Sequence, residues 1–186
     1  MNVLRFEIDG PLLINPMIHK DERGDFIESF SKRQFEKHGI PTEFVQDNQS
    51  RSMKNVIRGL HFQNEPHAQG KLVRVTSGSV LDVIVDIRPD SPTLGMHLKF
   101  LLDDQNCNIL WVPKGFAHGF LSLTENTVFC YKCTDYYNKE SESGIHWNDT
   151  TLNIDWGVAV PTVSDKDSQL PTFNEYIASV QGVKSS

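Results

Sequence analysis

The chain has 186 residues, of which 38% are hydrophobic and 23% are charged, a composition typical of one folded domain rather than of a disordered or fibrous protein. Its formal net charge of -6 argues against broad electrostatic binding to nucleic acids or anionic membranes. Three cysteines without the spacing of a disulfide framework indicate a reducing compartment. No apolar run approaches the roughly 20 residues of a membrane-spanning helix. We therefore expect a cytoplasmic protein with neither a nucleic-acid nor a membrane partner.

Residues 1–45 predict N-terminal strands and one short helix. The helix is expected from Ser31 to His38, because Ser31 and Gln34 have the spacing of a capping box and Gly39 is a stop signal. The stretch VLRFEI before it predicts a strand outside the count of the main sheets. Such a strand can pair with the open sheet edge of a second copy, so we expect a homodimer.

Residues 46–156 have a period of two rather than a helical period. Val83, Val85 and Ile87 alternate with positions 82, 84, 86 and 88, which are polar except for Ile84, and this predicts a half-buried strand. Further β-rich runs, separated by turn-forming residues, occupy positions 71–77, 96–102, 107–112, 117–123 and 126–133. Short strands at regular spacing, without alternating helices, predict an all-β fold of the jelly-roll barrel type with a few short helices.

Residues 157–186 have weak periodicity and predict a C-terminal segment that wraps the barrel and ends in a tail. We expect the tail to be frayed beyond Tyr176. Because the chain contains no repeat, low-complexity tract or linker, residues 1–186 are predicted to form one domain.

The stretch IRGLHFQ is the first candidate site. Strict alternation would place Arg58 and His61 on opposite faces of a strand, but Gly59 between them can host a bulge that turns both side chains into one cavity. A surface arginine and a structural histidine remain the alternative.

The stretch PKGFAHGF contains the spacing P-x-G-x-x-H, which ends at His118 and is the centre of the second cupin motif. Metal-binding cupins combine that histidine with two histidines and a carboxylate from an earlier strand. Here Gln63 stands where the second of those histidines would be, so we expect no metal. A metal-free cupin must use side chains as acid and base, whereas a metal-dependent cupin enzyme is the alternative.

The stretch YKCTDYY places Tyr131 and Cys133 on one strand face. Tyr131 is either a core residue or a phenol that donates a proton into the barrel. Cys130 and Cys133 point to opposite faces of a strand, which disfavours a metal or redox pair. A set of cations and amides in this acidic chain suits a pyrophosphate: Arg23, Gln46, Asn48, Arg58, Lys71 and Lys166.

Eight motifs, in order and spacing, resemble the dTDP-4-dehydrorhamnose 3,5-epimerase family across about Arg5 to Asp167. They are DERGDFIESF, FVQDNQSRS, IRGLHFQ, QGKLVRVTSGSVLDVIVDIRPDSPTLG, WVPKGFAHGF, YKCTDYY, ESGIHWND and SDKD. The resemblance implies a metal-free, cofactor-free cupin-type homodimer that inverts C3 and C5 of dTDP-4-dehydro-6-deoxyglucose on the way to dTDP-rhamnose. Two departures are that Gly157 stands where members commonly have proline and that the tail after SDKD has no obvious match.

The resemblance also implies a role for each matching residue. His61 is expected to be the base, Asp167 its orienting partner, Tyr131 the acid on the opposite face, and Lys71 the group that faces the enolate oxygen. Tyr137 is expected to stack on thymine, and Arg58 to share the task of Lys71 or bind phosphate. The other substrate contacts implied are Arg23, Glu28, Gln46, Asn48, His118, Glu142 and Lys166. Relatives that invert only C3, or that act on a different deoxysugar, share these motifs, so an epimerase of C3 alone or C5 alone is the alternative. A non-catalytic sugar-nucleotide-binding module is a further alternative.

Overall fold

The computed structural model describes residues 1–184, and within them the chain forms thirteen strands and three helices. In chain order these are β1 (Asn2–Leu4), β2 (Leu12–Asn15), β3 (Ile18–Asp21), β4 (Gly24–Ile27), α1 (Lys32–Glu36), β5 (Gln46–Ser52), β6 (Ile57–Gln63), β7 (Lys71–Ser77), β8 (Ser79–Asp86), β9 (His97–Asp103), β10 (Ile109–Val112), β11 (Phe116–Ser122), β12 (Thr127–Cys133), β13 (Glu142–Gly144), α2 (Asp165–Ser168) and α3 (Phe173–Lys184).

Two antiparallel sheets face each other and enclose the core. One has six strands in the order β1-β2-β10-β7-β12-β5, and the other has five in the order β13-β6-β11-β8-β9. Their inner faces share one apolar cluster, to which the six-stranded sheet contributes Val73 and Phe129 and the five-stranded sheet contributes Ile84 and Phe120. Two facing sheets of short antiparallel strands confirm the predicted all-β, cupin-type fold.

The outer face of the five-stranded sheet is covered by the C-terminal part of the chain. Val83 and Val85 of β8 pack there in one cluster with Trp156 and Phe173. The prediction of a half-buried strand is therefore wrong for β8, which is buried on both faces. Alternation read from one strand cannot reveal that a distant segment covers its outer face.

The outer face of the six-stranded sheet is covered by α1 and the loops around it. Phe35 of α1 is buried against Ile14 and Trp111. The predicted capping box is wrong: Ser31 is the N-cap residue, but its side chain makes no capping hydrogen bond. The helix is also shorter than predicted, since it spans Lys32–Glu36, and burial of its one large apolar residue holds it in place.

The two ends of the chain also differ from the predictions. β1 pairs with β2 of its own chain, so the N-terminal strand extends its own sheet. The tail predicted to be frayed beyond Tyr176 is helical as far as Lys184, and residues 185 and 186 of that prediction lie outside the described residues. Helix α3 is fixed because the Phe173 amide donates to the buried Asp149 carboxylate (2.9 Å) and Tyr176 packs on Phe62. None of the helices described is long and apolar enough to cross a membrane.

Candidate active site

A cavity of about 530 Å³ opens between the two sheets and contains most of the predicted catalytic side chains. The strands of the five-stranded sheet supply His61 and His118, and the six-stranded sheet supplies Lys71 and Tyr131 from the opposite wall. Asp167 reaches the cavity from α2. The cavity therefore has imidazole rings on the wall formed by one sheet, and an amine and a phenol on the wall formed by the other.

The predicted bulge in β6 is confirmed. In the pairing of β6 with β11, His61 lies opposite His118 and Arg58 lies opposite Phe120, so two residues of β6 face one residue of β11. Gly59 has φ of +132°, and a Cβ atom at that position would lie 2.5 Å from the Cα of Gly119. Only glycine fits this close approach, and the extra residue turns Arg58 and His61 toward the same cavity.

Helix α2 carries the carboxylate that binds His61. Ser164 caps the helix by accepting a hydrogen bond from the Asp167 amide (3.1 Å), which fixes Asp167 in the first turn. Asp167 Oδ1 lies 2.7 Å from His61 Nε2, and Oδ2 accepts the Gly59 amide at 3.1 Å. This pairing assigns the ring proton to Nε2 and leaves Nδ1 as the basic nitrogen.

The pKa of Asp167 reflects two opposing effects. Burial favours the neutral acid, but the hydrogen bonds from His61 and Gly59 outweigh it and lower the pKa below its ordinary value. Asp167 therefore remains a carboxylate at neutral pH. A carboxylate paired with a histidine ring in this way is the arrangement that orients the ring in histidine-based catalysis.

Tyr131 and Lys71 form the opposite wall. Burial raises the pKa of the Tyr131 phenol, so it remains a proton donor at neutral pH. Burial lowers the pKa of Lys71, although nearby acidic groups oppose this effect. Lys71 Nζ lies 3.5 Å from the His61 carbonyl oxygen, and Lys71, His61 and Tyr131 line the same cavity.

His118 forms a second pair with a carboxylate. Its Nε2 lies 2.9 Å from Asp82 Oδ2 and 3.1 Å from Oδ1, and both side chains are buried. Asp82 was not predicted as a site residue, because it falls in a strand predicted to be half-buried. A buried carboxylate requires a partner, and here the partner lines the cavity.

A smaller hollow of about 110 Å³, which we call the mouth, adjoins the cavity, and His61, Lys71 and Tyr131 line both. At this mouth, Glu142 accepts the Tyr137 hydroxyl (2.9 Å) and the Lys166 ammonium (2.6 Å). Gln46 and Asn48 of β5 also line the hollow. Four of the predicted polar contacts are thus gathered here: Gln46, Asn48, Glu142 and Lys166.

Ser50 of β5 and Arg58 of β6 also line the main cavity. Arg58 Nε donates to Ser52 Oγ (3.0 Å), which fixes one edge of the guanidinium. Among the described side chains, the Ser50 hydroxyl is buried without a hydrogen-bond partner, and Ser50 lines the cavity. The period of two that joins Gln46, Asn48, Ser50 and Ser52 was the signal that could have identified it.

Two predicted substrate residues are not brought to the cavity of their own chain. Arg23 lies on the β3–β4 hairpin, where its side chain is 85% exposed and pairs with Asp21 at 2.6 Å. Glu28 follows the same hairpin and is exposed. The surface hollow that contains Arg23 shares no lining residue with either the cavity or its mouth in the described part of the chain.

Metal-ligating groups are not clustered within residues 1–184: no three His, Cys, Asp or Glu side chains converge there. Gln63, at the position of the second cupin histidine, uses its amide to bind backbone groups of neighbouring loops. All three cysteines are free thiols.

Comparison with known proteins shows that the sequence is similar to a known family. A family model described as dTDP-4-dehydrorhamnose 3,5-epimerase matches residues 5–175. The dTDP-4-dehydrorhamnose 3,5-epimerase of Escherichia coli (strain K12) is 51% identical over 179 residues, which cover 95% of this chain and 97% of the relative.

Solved structures have the same fold. The dTDP-6-deoxy-D-glucose-3,5-epimerase of Legionella pneumophila Philadelphia 1, in complex with dTDP-4-keto-L-rhamnose, has a TM-score of 0.89 at 48% identity and covers 93% of both chains. A 3'-monoepimerase from Streptomyces bikiniensis, in complex with dTDP-quinovose, has a TM-score of 0.88 at 31% identity, covering 95% of this chain and 89% of that one. Because both the family model and the close relatives extend over nearly the whole sequence, the chain belongs to the dTDP-4-dehydrorhamnose 3,5-epimerase family, a family of isomerases.

Proposed function

We propose that the protein converts dTDP-4-dehydro-6-deoxy-D-glucose to dTDP-4-dehydro-L-rhamnose by inverting C3 and C5, as a step in the biosynthesis of dTDP-rhamnose or a related deoxysugar. One observation carries the proposal: His61 and Tyr131 line the same cavity from opposite sheets. Inversion of a carbon requires removal of a proton on one face and its return on the other.

The chemistry follows from the ketone at C4, which acidifies the hydrogens at C3 and C5. His61 Nδ1 removes one of these protons, and the electron pair moves to the ketone oxygen to give an enolate. Lys71 stabilises that oxygen, a role in which one preorganised donor contributes about 3 to 4 kcal/mol. Tyr131 then donates a proton to the opposite face. Side chains supply the base, acid and cation, so the proposal requires no cofactor.

Substrate binding is proposed for the residues around the mouth. The Arg58 guanidinium is held by its bonds to Ser52 Oγ and to the Arg51 carbonyl, and we propose that it binds a phosphate of the substrate, whereas Lys166 supplies a point charge. We propose that Tyr137 stacks on the thymine ring, and that Gln46, Asn48, His118 and Glu142 complete the contacts. The Legionella relative bound to a dTDP-linked keto-sugar supports this class of ligand.

The test is incubation with dTDP-4-dehydro-6-deoxyglucose in heavy water, with deuterium followed at C3 and C5. We expect incorporation at both carbons, together with formation of the L-rhamno product. Exchange at neither carbon would contradict the proposal.

A mono-epimerase, which would invert one carbon only, is the second candidate function. The similarity to the Streptomyces 3'-monoepimerase supports this candidate. Both enzymes use the same chemistry, and the number of carbons inverted depends on how the sugar ring sits between base and acid. Deuterium at C3 alone in the same experiment would select this candidate.

We propose a cytoplasmic homodimer, supported by three free thiols and by the exposed β3–β4 hairpin, in which Phe26 is 69% exposed. If Arg23 and Glu28 bind substrate, they must serve the cavity of a second copy, because they do not reach their own. Light scattering after gel filtration tests the dimer. Mixing inactive Arg23→Ala and His61→Asn proteins tests the shared site: heterodimers would restore one site each, or about a quarter of wild-type activity after full exchange. No recovery would contradict this arrangement.

A further inference from the structure

The backbone around Tyr137 is held by two glutamine side chains rather than by a sheet neighbour. Gln63 Oε1 accepts the amide of Asn138 at 2.8 Å, and Gln63 Nε2 donates to the carbonyl of Tyr136 at 3.1 Å. Gln46 Oε1 accepts the amide of Tyr137 itself at 2.8 Å. Three consecutive residues, with Tyr137 at the centre, are therefore bound through their main chain.

Gln63 is placed to act on two loops at once. It is 8% exposed and lies on β6, two residues beyond His61. Besides the bonds to the 136–138 segment, its Nε2 donates to the carbonyl of His67 at 2.6 Å. The amide therefore joins the loop after β6 to the loop after β12, and three hydrogen bonds leave its buried polar groups satisfied.

Tyr137, in contrast, is anchored weakly by its own side chain. The residue is 54% exposed, and within the described part of the chain its side chain makes one hydrogen bond, from the hydroxyl to Glu142. Exposed aromatic side chains pay a conformational cost when a ligand immobilises them. Main-chain hydrogen bonds at residues 136 to 138 reduce that cost, because they fix the position of the Tyr137 backbone from which the side chain extends.

We propose that Gln63, together with Gln46, forms a backbone clamp that positions Tyr137 for nucleotide binding. Gln63 is a positioning residue, since it acts through Tyr137 and does not itself contact the reacting atoms. This inference rests on the proposed function, in which Tyr137 stacks on thymine. It also gives a role to the position that carries a metal ligand in other cupins: an amide offers a donor and an acceptor, as a peptide group does.

The test measures binding of dTDP by calorimetry to the wild type, Gln63→Leu, Tyr137→Ala and the double variant. We expect Gln63→Leu to weaken binding about five- to tenfold, because the loop must be ordered when the ligand binds. In the Tyr137→Ala background, the same substitution should cause no further loss. Gln63→Glu keeps the acceptor for the Asn138 amide but turns a carboxylate oxygen toward the carbonyls of His67 and Tyr136, so it should weaken binding at least as much as Gln63→Leu.

Two readouts separate positioning from general damage. Gln63→Leu should raise KM more than it lowers kcat, because His61 and Tyr131 are unchanged. Gln105→Leu, a matched change at an exposed turn where the side-chain amide donates to Asp104, should bind dTDP as the wild type does.

Wild-type binding by Gln63→Leu or Tyr137→Ala would overturn the clamp. Losses that multiply in the double variant would also overturn it, because they would show that Gln63 does not act through Tyr137. If the wild type itself fails to bind dTDP, the proposed function fails, and that result is distinct from a failure of the variants alone.

Discussion

The Asp167 carboxylate binds the His61 ring at 2.7 Å, although 106 positions separate the two residues in the chain. Its second oxygen binds the amide of Gly59, one of the residues that form the β6 bulge. One carboxylate thus fixes both the proposed base and the strand distortion that directs it into the cavity. Capping by Ser164 completes this arrangement by fixing Asp167 itself.

Asp167→Asn should lower kcat on the order of a thousandfold with a smaller change in KM. If the asparagine oxygen keeps the Gly59 amide, its NH₂ group faces His61 and selects the wrong ring tautomer. The measurement is steady-state kinetics of epimerisation. Asp165→Asn, at an exposed position of the same helix, is the control and should retain wild-type kcat; equal losses in both variants would contradict the pairing.

The alkaline limb of kcat/KM should reflect Lys71. Its pKa lies below the ordinary 10.5 because the ammonium is buried, whereas burial raises that of Tyr131 above 10. As pH rises, loss of the Lys71 charge should make activity fall with a midpoint below 10.5. In Lys71→Arg the limb should move to higher pH, even if the maximal rate is lower. An unchanged limb would exclude Lys71 as its origin.

Two serines on the same face of β5 should respond to alanine in opposite ways. Among the described residues the Ser50 hydroxyl is buried with no hydrogen-bond partner, so Ser50→Ala should raise the free energy of unfolding by about 1 kcal/mol. The Ser52 hydroxyl accepts from Arg58, so Ser52→Ala should lower it. Urea denaturation measures both. Destabilisation by Ser50→Ala would indicate a partner for its hydroxyl.

Acid stability should depend on Asp86, which is fully buried and accepts hydrogen bonds from Arg88, Ser91 and Thr93. Burial opposes its ionisation, but these bonds prevail and lower its pKa to about 2. A folded-state pKa below the unfolded value stabilises the protein above about pH 4, and this contribution is lost as pH falls toward 2.

Asp86→Asn should therefore reduce the free energy of unfolding at neutral pH by about 2 kcal/mol or more, with a smaller penalty near pH 2. Urea denaturation across this pH range provides the measurement, with the exposed Asp25→Asn as control. A constant difference between Asp86→Asn and the wild type at every pH would contradict the assignment.

Local sequence patterns predicted a structural feature correctly where the residues that cause it lie within one strand. The glycine between Arg58 and His61 predicted the bulge because no other residue tolerates the close approach to Gly119. The alternating runs predicted the barrel strands, and the missing cupin histidine at position 63 was visible in the sequence. The role of Gln63 was not visible, because its partners belong to loops that only folding brings together.

Other features depended on distant contacts. The outer face of β8 is buried by Trp156 and Phe173, which no period within the strand reveals. Asp82 of β8 binds His118 of the neighbouring strand β11. The packing of the described residues leaves the buried Ser50 hydroxyl without a hydrogen-bond partner. Arg23 matched a family motif, but its hairpin extends away from the cavity of its own chain. The sequence identifies Arg23 as a candidate substrate residue, but it does not show whether the side chain reaches the cavity of its own chain or that of a second copy.

The most direct measurement compares deuterium exchange and inversion in His61→Asn and Tyr131→Phe with those of the wild type. The central claim is that His61 removes the proton and Tyr131 returns it from the opposite face. We predict no exchange at C3 or C5 in His61→Asn. In Tyr131→Phe we predict residual exchange with slowed inversion, because the enolate still forms and is reprotonated on the face of His61. Exchange at the wild-type rate in His61→Asn would contradict the account.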